Sequence, residues 1–394
     1  MLRAAACLCV AMLFASAPGQ LVTTGPLRLA SPAAVNAGPR LVSSPLGDLY
    51  AVWEGRDGAA TRVYFAAGTL LGWSPPRVIS RAGAPASLQP DLALDPSGAV
   101  LVVWAEDSGT TSGIVMRRLA RGEWNEPHVV RKRPRVHCEY PSVAAGLDAG
   151  EGVAVVWQER FGSLSRVMGA ALLPGLDWRV GPLPAPDQSA DLNIYPRLLT
   201  TPREGTAYWF SIEEDLVRLN AAELDLTRGQ WYDAPPLVPS CVPLERLPLL
   251  FDPRTRSLGA LWVEESALSN NGIRLEWQDP CAGLTLPCAP GDILQDSFPA
   301  VAQSAPDELT FAWRATDSTG SRIHLARINT ATLDWESASF APAAPDRVPG
   351  SSRPVLAADA FGLIHVLWIS DPAAGGDGGI YYSYGLWAGD FFRF

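Results

Sequence analysis

Acidic residues recur in this chain at one kind of place, directly after a long apolar run. "AVWEGR" carries Glu54, "VVWAED" Glu106, "VVWQER" Glu159, "WFSIEED" Glu213 and Glu214, "LWVEES" Glu264 and Glu265, "FAWRATD" Asp317 and "VLWISD" Asp371. Gathered on one face, such acids form a carboxylate ring able to coordinate Ca²⁺ or grip a cationic ligand, and a close pair suits glycoside hydrolysis. The plainer role is a polar side chain ending an apolar strand at solvent, with mutual repulsion pushing the acids outwards. Glu54, Glu106, Glu159, Glu264, Asp317 and Asp371 are therefore the candidate ligand-binding acids. A second chemistry sits in "RKRPRVHCEY", residues 131–140, the only dense basic run in a protein of net charge −10. Arg133 and Arg135 in this run are candidates to hold a carboxylate or sulfate on a glycan, since guanidinium groups match those anions in geometry. Its plainer role is a solvated loop pinned by a disulfide.

Other chemistries find no support. There is no CxxC or HxxxH spacing for zinc, no G-x-S-x-G, and no glycine-rich phosphate loop. No cofactor is expected, Ca²⁺ being the one metal the acids allow. His128, His324 and His365 lie in strand-like runs, as packed or surface imidazoles do. The acidic balance argues against nucleic acid as a partner.

Residues 1–20, "MLRAAACLCVAMLFASAPGQ", have an early Arg3, a short apolar stretch and small residues near Ala15–Ala17, the layout of a secretory signal peptide. No later stretch reaches membrane-spanning length, so a soluble protein outside the cytoplasm, secreted or periplasmic, is expected. Removing the leader leaves Cys138, Cys241, Cys281 and Cys288, an even number suited to disulfides in an oxidising compartment. Cys281 with Cys288, around "AGLTLP", is the first expected pair, and Cys138 with Cys241 follows by elimination; three connectivities remain open on sequence alone.

The elements that must position these residues repeat. A Pro opening an apolar alternation stands at 39, 90, 141, 196, 248, 299 and 354, at intervals of 51, 51, 55, 52, 51 and 55 residues. Units of about fifty residues demand a repeat architecture. Fourteen residues beyond the Pro stands Trp53, Trp104, Trp262, Trp313 or Trp368; Trp157 comes sixteen beyond, and the fourth unit has Phe210 there with Trp209 beside it. With a second Trp per unit, the repeat accounts for all 14 Trp in the chain. Within a unit, runs such as "PDLAL", "AVLVVW", "IVMRRLA" and "NEPHVVR" read as four antiparallel strands, and 35 Gly plus 35 Pro supply their turns. The expected fold is all-β, a seven-bladed β-propeller over residues 21–394 with the Trp filling the wedges between blades. The last unit is short, so the N-terminal strand near "PLRLAS" is expected to pair with the last blade, with "AGDFFRF" as the rival; an open solenoid is the other arrangement.

The phrases "PDLALDPSGAVLVVW" and "PVLAADAFGLIHVLW" resemble the repeats of the sialidase-like, Asp-box (bacterial neuraminidase repeat) propellers, and the resemblance extends over roughly residues 26–394. The Asp box keeps its Trp in every unit and its full Ser, Asp, Gly and Trp set in none. The resemblance implies an Arg opening the first blade, for which Arg40 stands, an Arg after its second strand, for which Arg56 stands, and an acid catalyst near Asp57. Arg197, Arg353, Tyr140 and Tyr195 are candidates by location for a third Arg and a Tyr–Glu nucleophile pair. The combined expectation is an exported, monomeric propeller that binds a glycan or an extracellular protein as a binding or scaffolding module. A sialidase-like exo-glycosidase is the alternative.

Overall fold

In the computed structural model, the described residues run from Leu21 to Trp387. Residues 148–151, 185–191, 239–248, 253–256, 265–271, 278–283, 287–291, 294–299, 341–353, 370–377 and shorter loop stretches lie outside them, and side chains are described chiefly over 21–234 and 300–387.

The strands form antiparallel meanders in chain order. The first comprises Val35–Ser43, Leu49–Asp57 and Ala60–Thr69 with short outer strands Gly72–Trp73 and Arg77–Val78. The second comprises Ala86–Leu94, Val100–Asp107 and Thr111–Ala120 with outer strands Glu123–Trp124 and His128–Pro134. The third runs His137–Gly146, Gly152–Phe161, Leu164–Leu172 and Arg179–Pro182, and the fourth Leu192–Thr201, Glu204–Glu213, Leu216–Asp225 and Gln230–Val238. Further meanders start at Leu249–Asp252 and Ala300–Ala305, and the last has Val355–Ala358, Ile364–Ile369 and Ile380–Trp387. The fourth strand of that last sheet comes from the other end of the chain: Leu21 pairs with Trp387 and Leu27 with Tyr382. The pairing anticipated for the N-terminal strand is thus present, while residues 388–394 lie outside the described residues.

First strands touch in order. Val35–Ser43 meets Ala86–Leu94, which meets His137–Gly146, then Leu192–Thr201, Leu249–Asp252, Ala300–Ala305 and Val355–Ala358, and the last touches Val35–Ser43 again. The second strands are apolar on both sides because a meander lies against each face: Val100 to Ala105 are all buried. Accordingly the cores lie between meanders. Val52, Phe65, Val102 and Trp104 share one cluster, Val103, Met116, Trp157 and Met168 a second, and Leu41, Trp53, Leu367 and Tyr382 a third that joins the first meander to the last.

The Trp residues fill these wedges as their spacing predicts. Trp53, Trp104 and Trp157 are fully buried, and the second Trp of each of these three units packs back on the preceding sheet. Trp73 meets Tyr382 edge-on at 5.1 Å, Trp124 meets Phe65 at 5.0 Å, and Trp178 stacks on His128 at 5.7 Å. Trp231 lies where a Cβ on Gly169 would be, which explains the glycine. Register revises one assignment: Tyr208 faces Arg197 as Val52 faces Arg40, so Trp209, not Phe210, stands in phase with Trp53. The first hairpin of the fourth unit is simply one residue shorter in effect.

Two sequence expectations around residues 131–140 are corrected. The basic run is mostly strand: Arg131 to Pro134 extend an outer edge opposite Ile114 to Thr111, and His137 already pairs with Arg160. Charges on an exposed edge discourage edge-to-edge association. Cys138 is a free thiol, buried among Ile114, Val130 and Met168, so it does not form the expected disulfide. The reason lies in the repeat. Asn36, Ser87, Cys138 and Asn193 each precede the unit's Pro by three residues, all four are buried, and Cys138 stands where its neighbours carry a small polar side chain. Cys241, Cys281 and Cys288 lie outside the described residues.

Candidate functional site

The Pro that marks each unit marks a local irregularity. In the first four meanders the register of the first strand slips between Ala37 and Arg40, Leu88 and Asp91, Glu139 and Ser142, and Ile194 and Arg197. These are β-bulges, and the residue before the Pro takes positive φ: Gly38 at 56°, Gln89 at 54°, Tyr140 at 52° and Tyr195 at 56°. Glycine is at ease there. For Gln and Tyr, and before a Pro that favours extended backbone, such φ stores roughly 1–3 kcal/mol per residue.

Side chains of the preceding unit hold the strained backbone. Glu54 Oε1 accepts the Gln89 N–H at 2.6 Å, Gln89 Oε1 accepts the Tyr140 N–H at 2.7 Å, and Gln158 Oε1 accepts the Tyr195 N–H at 3.4 Å. A second tier runs beneath: Asp91 accepts the Val143 N–H at 3.1 Å and the Ser142 hydroxyl accepts the Leu198 N–H at 3.1 Å. Over the first four units, each therefore sets the backbone of the next.

Between these tiers two tyrosines meet. Tyr140 and Tyr195, both half-buried, lie edge to face with ring centroids 4.8 Å apart and planes at 88°. Beside them Arg160 grips Glu139 with two nitrogens, Nη2 at 2.8 Å from Oε1 and Nε at 3.2 Å from Oε2. Gln158 donates to the same carboxylate at 3.4 Å and so links this ion pair to Tyr195. Phe161, at the hairpin that follows, is exposed, with the Arg166 guanidinium 5.6 Å from its ring. One tier down, Arg40 Nε and Arg197 Nη1 approach the buried Asp91 carboxylate at 3.2 Å and 3.3 Å.

The sequence-derived acids are placed differently from one another. Glu54 serves Gln89; Glu106 accepts the Trp104 indole N–H at 3.2 Å; Glu159 is fully buried, with Arg166 at 2.8 Å and Arg131 at 3.9 Å. Glu213 faces Arg218 at 3.9 Å. Glu264 and Asp317 end their strands with side chains outside the described residues, and Asp371, Glu214, Glu265 and Arg353 lie wholly outside them. Among the described residues no three His, Cys, Asp or Glu are grouped to hold a metal ion. Cys138 offers no thiolate either, because burial, and then the Glu159 charge, push its thiol up to about 12.

Of the arginines, the structure brings Arg40 and Arg197 together and leaves Arg56 apart. Arg56 is exposed opposite Val35, four ladder positions from the level of Arg40, or about 13 Å along a strand. Asp57 pairs with Ala60 beside the hairpin tip. Arg133 lies on the outer edge opposite Ser112, and Arg135, exposed with φ of 58°, closes the link into the third meander through its N–H to Thr110 O at 3.1 Å. Sequence reasoning missed Gln89, Asp91, Glu139, Gln158 and Arg160. A signal existed for Asp91: the fragments "GPRL", "QPDL", "YPSV" and "YPRL" put a polar residue after the Pro, where an apolar strand has no local need of one.

No protein-family model matches the chain, and no curated protein matches it in sequence. Solved structures do match in shape. A protein of unknown function from Dyadobacter fermentans aligns with a TM-score of 0.56 at 11% identity, covering 94% of this chain and 100% of its own. A polysaccharide lyase of family PL25, an ulvan lyase bound to -[GlcA(1-4)Rha3S]-, aligns at 0.54 and 8% identity, covering 91% and 95%. The K499G mutant of NanB sialidase from Streptococcus pneumoniae aligns at 0.50 and 10% identity, covering 93% and 71%. The chain has a propeller-like all-β fold. At such identities the likeness extends to that fold and no further.

Proposed function

We propose that the chain is an exported, seven-bladed β-propeller, closed by the strands at 21–29, that binds a glycan over its third and fourth blades. The cyclic order of first-strand contacts and the N-terminal pairing with Ile380–Trp387 support closure. The leader-like residues 1–20 support export.

The observation that carries the binding reading is the Tyr140–Tyr195 pair, held by strained backbone at 4.8 Å. Strain persists only where surrounding contacts over-determine it, and it gathers at ligand clamps. Aromatic faces accept the C–H face of a pyranose, while the Glu139–Arg160 pair presents donors and acceptors at hydroxyl height. The sugar-active neighbours of the fold, a sialidase and a polysaccharide lyase, agree with a glycan ligand. Binding is favoured over hydrolysis because Arg40 sits on Asp91 and away from Arg56, so the two arginines of a sialidase-like site do not converge.

A panel of immobilised glycans, run beside a fluorogenic sialoside and aryl glycosides, tests this. Saturable binding that weakens at least about tenfold in Tyr140→Ala, without turnover, is the expected result. Turnover that disappears in Arg40→Ala would replace the binding reading with the hydrolase one.

A further inference from the structure

Asp91 is a buried carboxylate that arginines of two other units approach, one at each oxygen. Arg40 comes from the first strand of the first meander and Arg197 from that of the fourth, 157 residues away in sequence. Both occupy the position after the unit's Pro, and so does Asp91 itself in the second meander, so the bulges turn all three side chains to one level. Asp91 is 7% exposed at its side chain, Arg40 13% and Arg197 24%. One carboxylate oxygen faces Arg40; the other faces Arg197 and also accepts the Val143 N–H at 3.1 Å. This is a seat for a carboxylate: two guanidinium groups, a backbone donor and little water.

We propose that Asp91 is an internal occupant of a two-arginine carboxylate seat, and that it fixes the ligand class of the face above by denying that seat to an acidic sugar. The statement about ligand class rests on the glycan-binding reading; the statement about the seat does not. With Asp91 in place, an incoming carboxylate meets a like charge at the point where the arginines converge, and like charges at close range oppose each other most where water is scarce. Discrimination then falls to the Tyr140–Tyr195 rings and to hydrogen bonds with hydroxyl groups. Ligands without a carboxylate are admitted, and uronates or sialosides gain nothing from Arg40 and Arg197.

Chemical rescue tests this. Asp91→Ala removes the carboxylate and leaves both arginines and the Val143 N–H around a space of acetate size. Sodium acetate is titrated into wild type and Asp91→Ala with sodium chloride as the control for ionic strength, and Tm is read from tryptophan fluorescence. Acetate is expected to raise the Tm of Asp91→Ala saturably by about 2 °C or more beyond chloride, and to leave wild type at its chloride value. If Asp91→Ala unfolds without ligand, the refolded fraction is read instead, and recovery in acetate but not in chloride carries the same meaning. Equal responses of the two proteins, or no specific response of Asp91→Ala, overturn the seat. Methyl-esterified and de-esterified homogalacturonan then serve as one backbone with and without charge. A gain for the de-esterified form in Asp91→Ala supports the ligand-class statement, and acetate rescue without any such gain removes that statement while keeping the seat.

Discussion

Two polar assemblies among the described residues are built on opposite plans. At the seam between the last and first meanders, the Tyr382 hydroxyl lies 2.8 Å from His365 Nδ1 and His365 Nε2 lies 3.3 Å from Asp359; a carboxylate only accepts, so the ring proton belongs on Nε2 and Nδ1 accepts from the phenol. All three side chains are buried, Asp359 also caps its own hairpin through the Phe361 and Leu363 N–H groups, and none of the three has positive φ. Around the first strands of the first four meanders, by contrast, backbone at Gln89, Tyr140 and Tyr195 is strained and aromatic rings stay half-exposed. The first strand of the last meander pairs without a slip and carries Val355 after its Pro. An unstrained, sealed cluster serves the fold. A strained, open one is what a binding face requires, because preorganised geometry is kept at the expense of stability.

Variants at the two places should therefore separate stability from binding. The largest loss is expected at the seam from Trp53→Ala, which empties the wedge shared with Leu367 and Tyr382. Urea unfolding should show about 3–5 kcal/mol, with glycan affinity of the folded fraction unchanged. Next comes alkaline pH. Cys138 titrates near 12 when folded against 9.0 as a free group, so its contribution is complete below pH 9 and is lost as pH rises towards 12. The slope is about 1.4 kcal/mol per pH unit across that window. Cys138→Ser, which installs the residue of the second unit at this repeat position, should flatten it, as pH-dependent urea midpoints would reveal. Smaller again, Tyr382→Phe strands His365 Nδ1 in a dry site and should cost roughly 1–3 kcal/mol without touching binding. The Tyr382 phenol is itself raised by burial, then by Tyr384 and Asp359, so it too favours the folded state below pH 10 and loses that contribution above it.

Much of the fold was legible because its signals are local and repeated. The Pro spacing, the apolar second strands and the paired Trp residues each follow from burial between successive sheets. The fourth unit misled at Phe210 since a fixed count from the Pro ignores how each hairpin turns. Cys138 misled because an even count of thiols does not say where each one is placed, and in the structure it is a free thiol buried three residues before the Pro. The site was less legible. Glu54 and Glu159 were visible as acids, yet whether such an acid meets a ligand, an arginine or the backbone N–H of the next unit depends on partners well outside its own strand, such as Gln89 for Glu54 and Arg131 for Glu159. Tyr140 and Tyr195 were named only by location, since nothing in "YPSV" or "YPRL" announces positive φ before a proline.

The sharpest way to separate the two assemblies needs only glycine and alanine. In an ordinary strand Ala exceeds Gly in stability by roughly 0.5–1 kcal/mol, because Gly loses more backbone freedom on folding. Tyr382 lies in such a strand, so Tyr382→Ala should be more stable than Tyr382→Gly by that amount. At Tyr140, with φ of 52°, the order should invert, because Gly relieves the strain that any Cβ maintains there. Tyr140→Gly should exceed Tyr140→Ala by about 1 kcal/mol in urea, and both should lose the aromatic platform and its ligand equally. The comparison cancels the lost ring, since neither variant has one, and leaves backbone strain as the difference. Equal stabilities at Tyr140, or the ordinary order there, would mean that the bulge is relaxed in solution and that the tyrosine pair is held by packing alone.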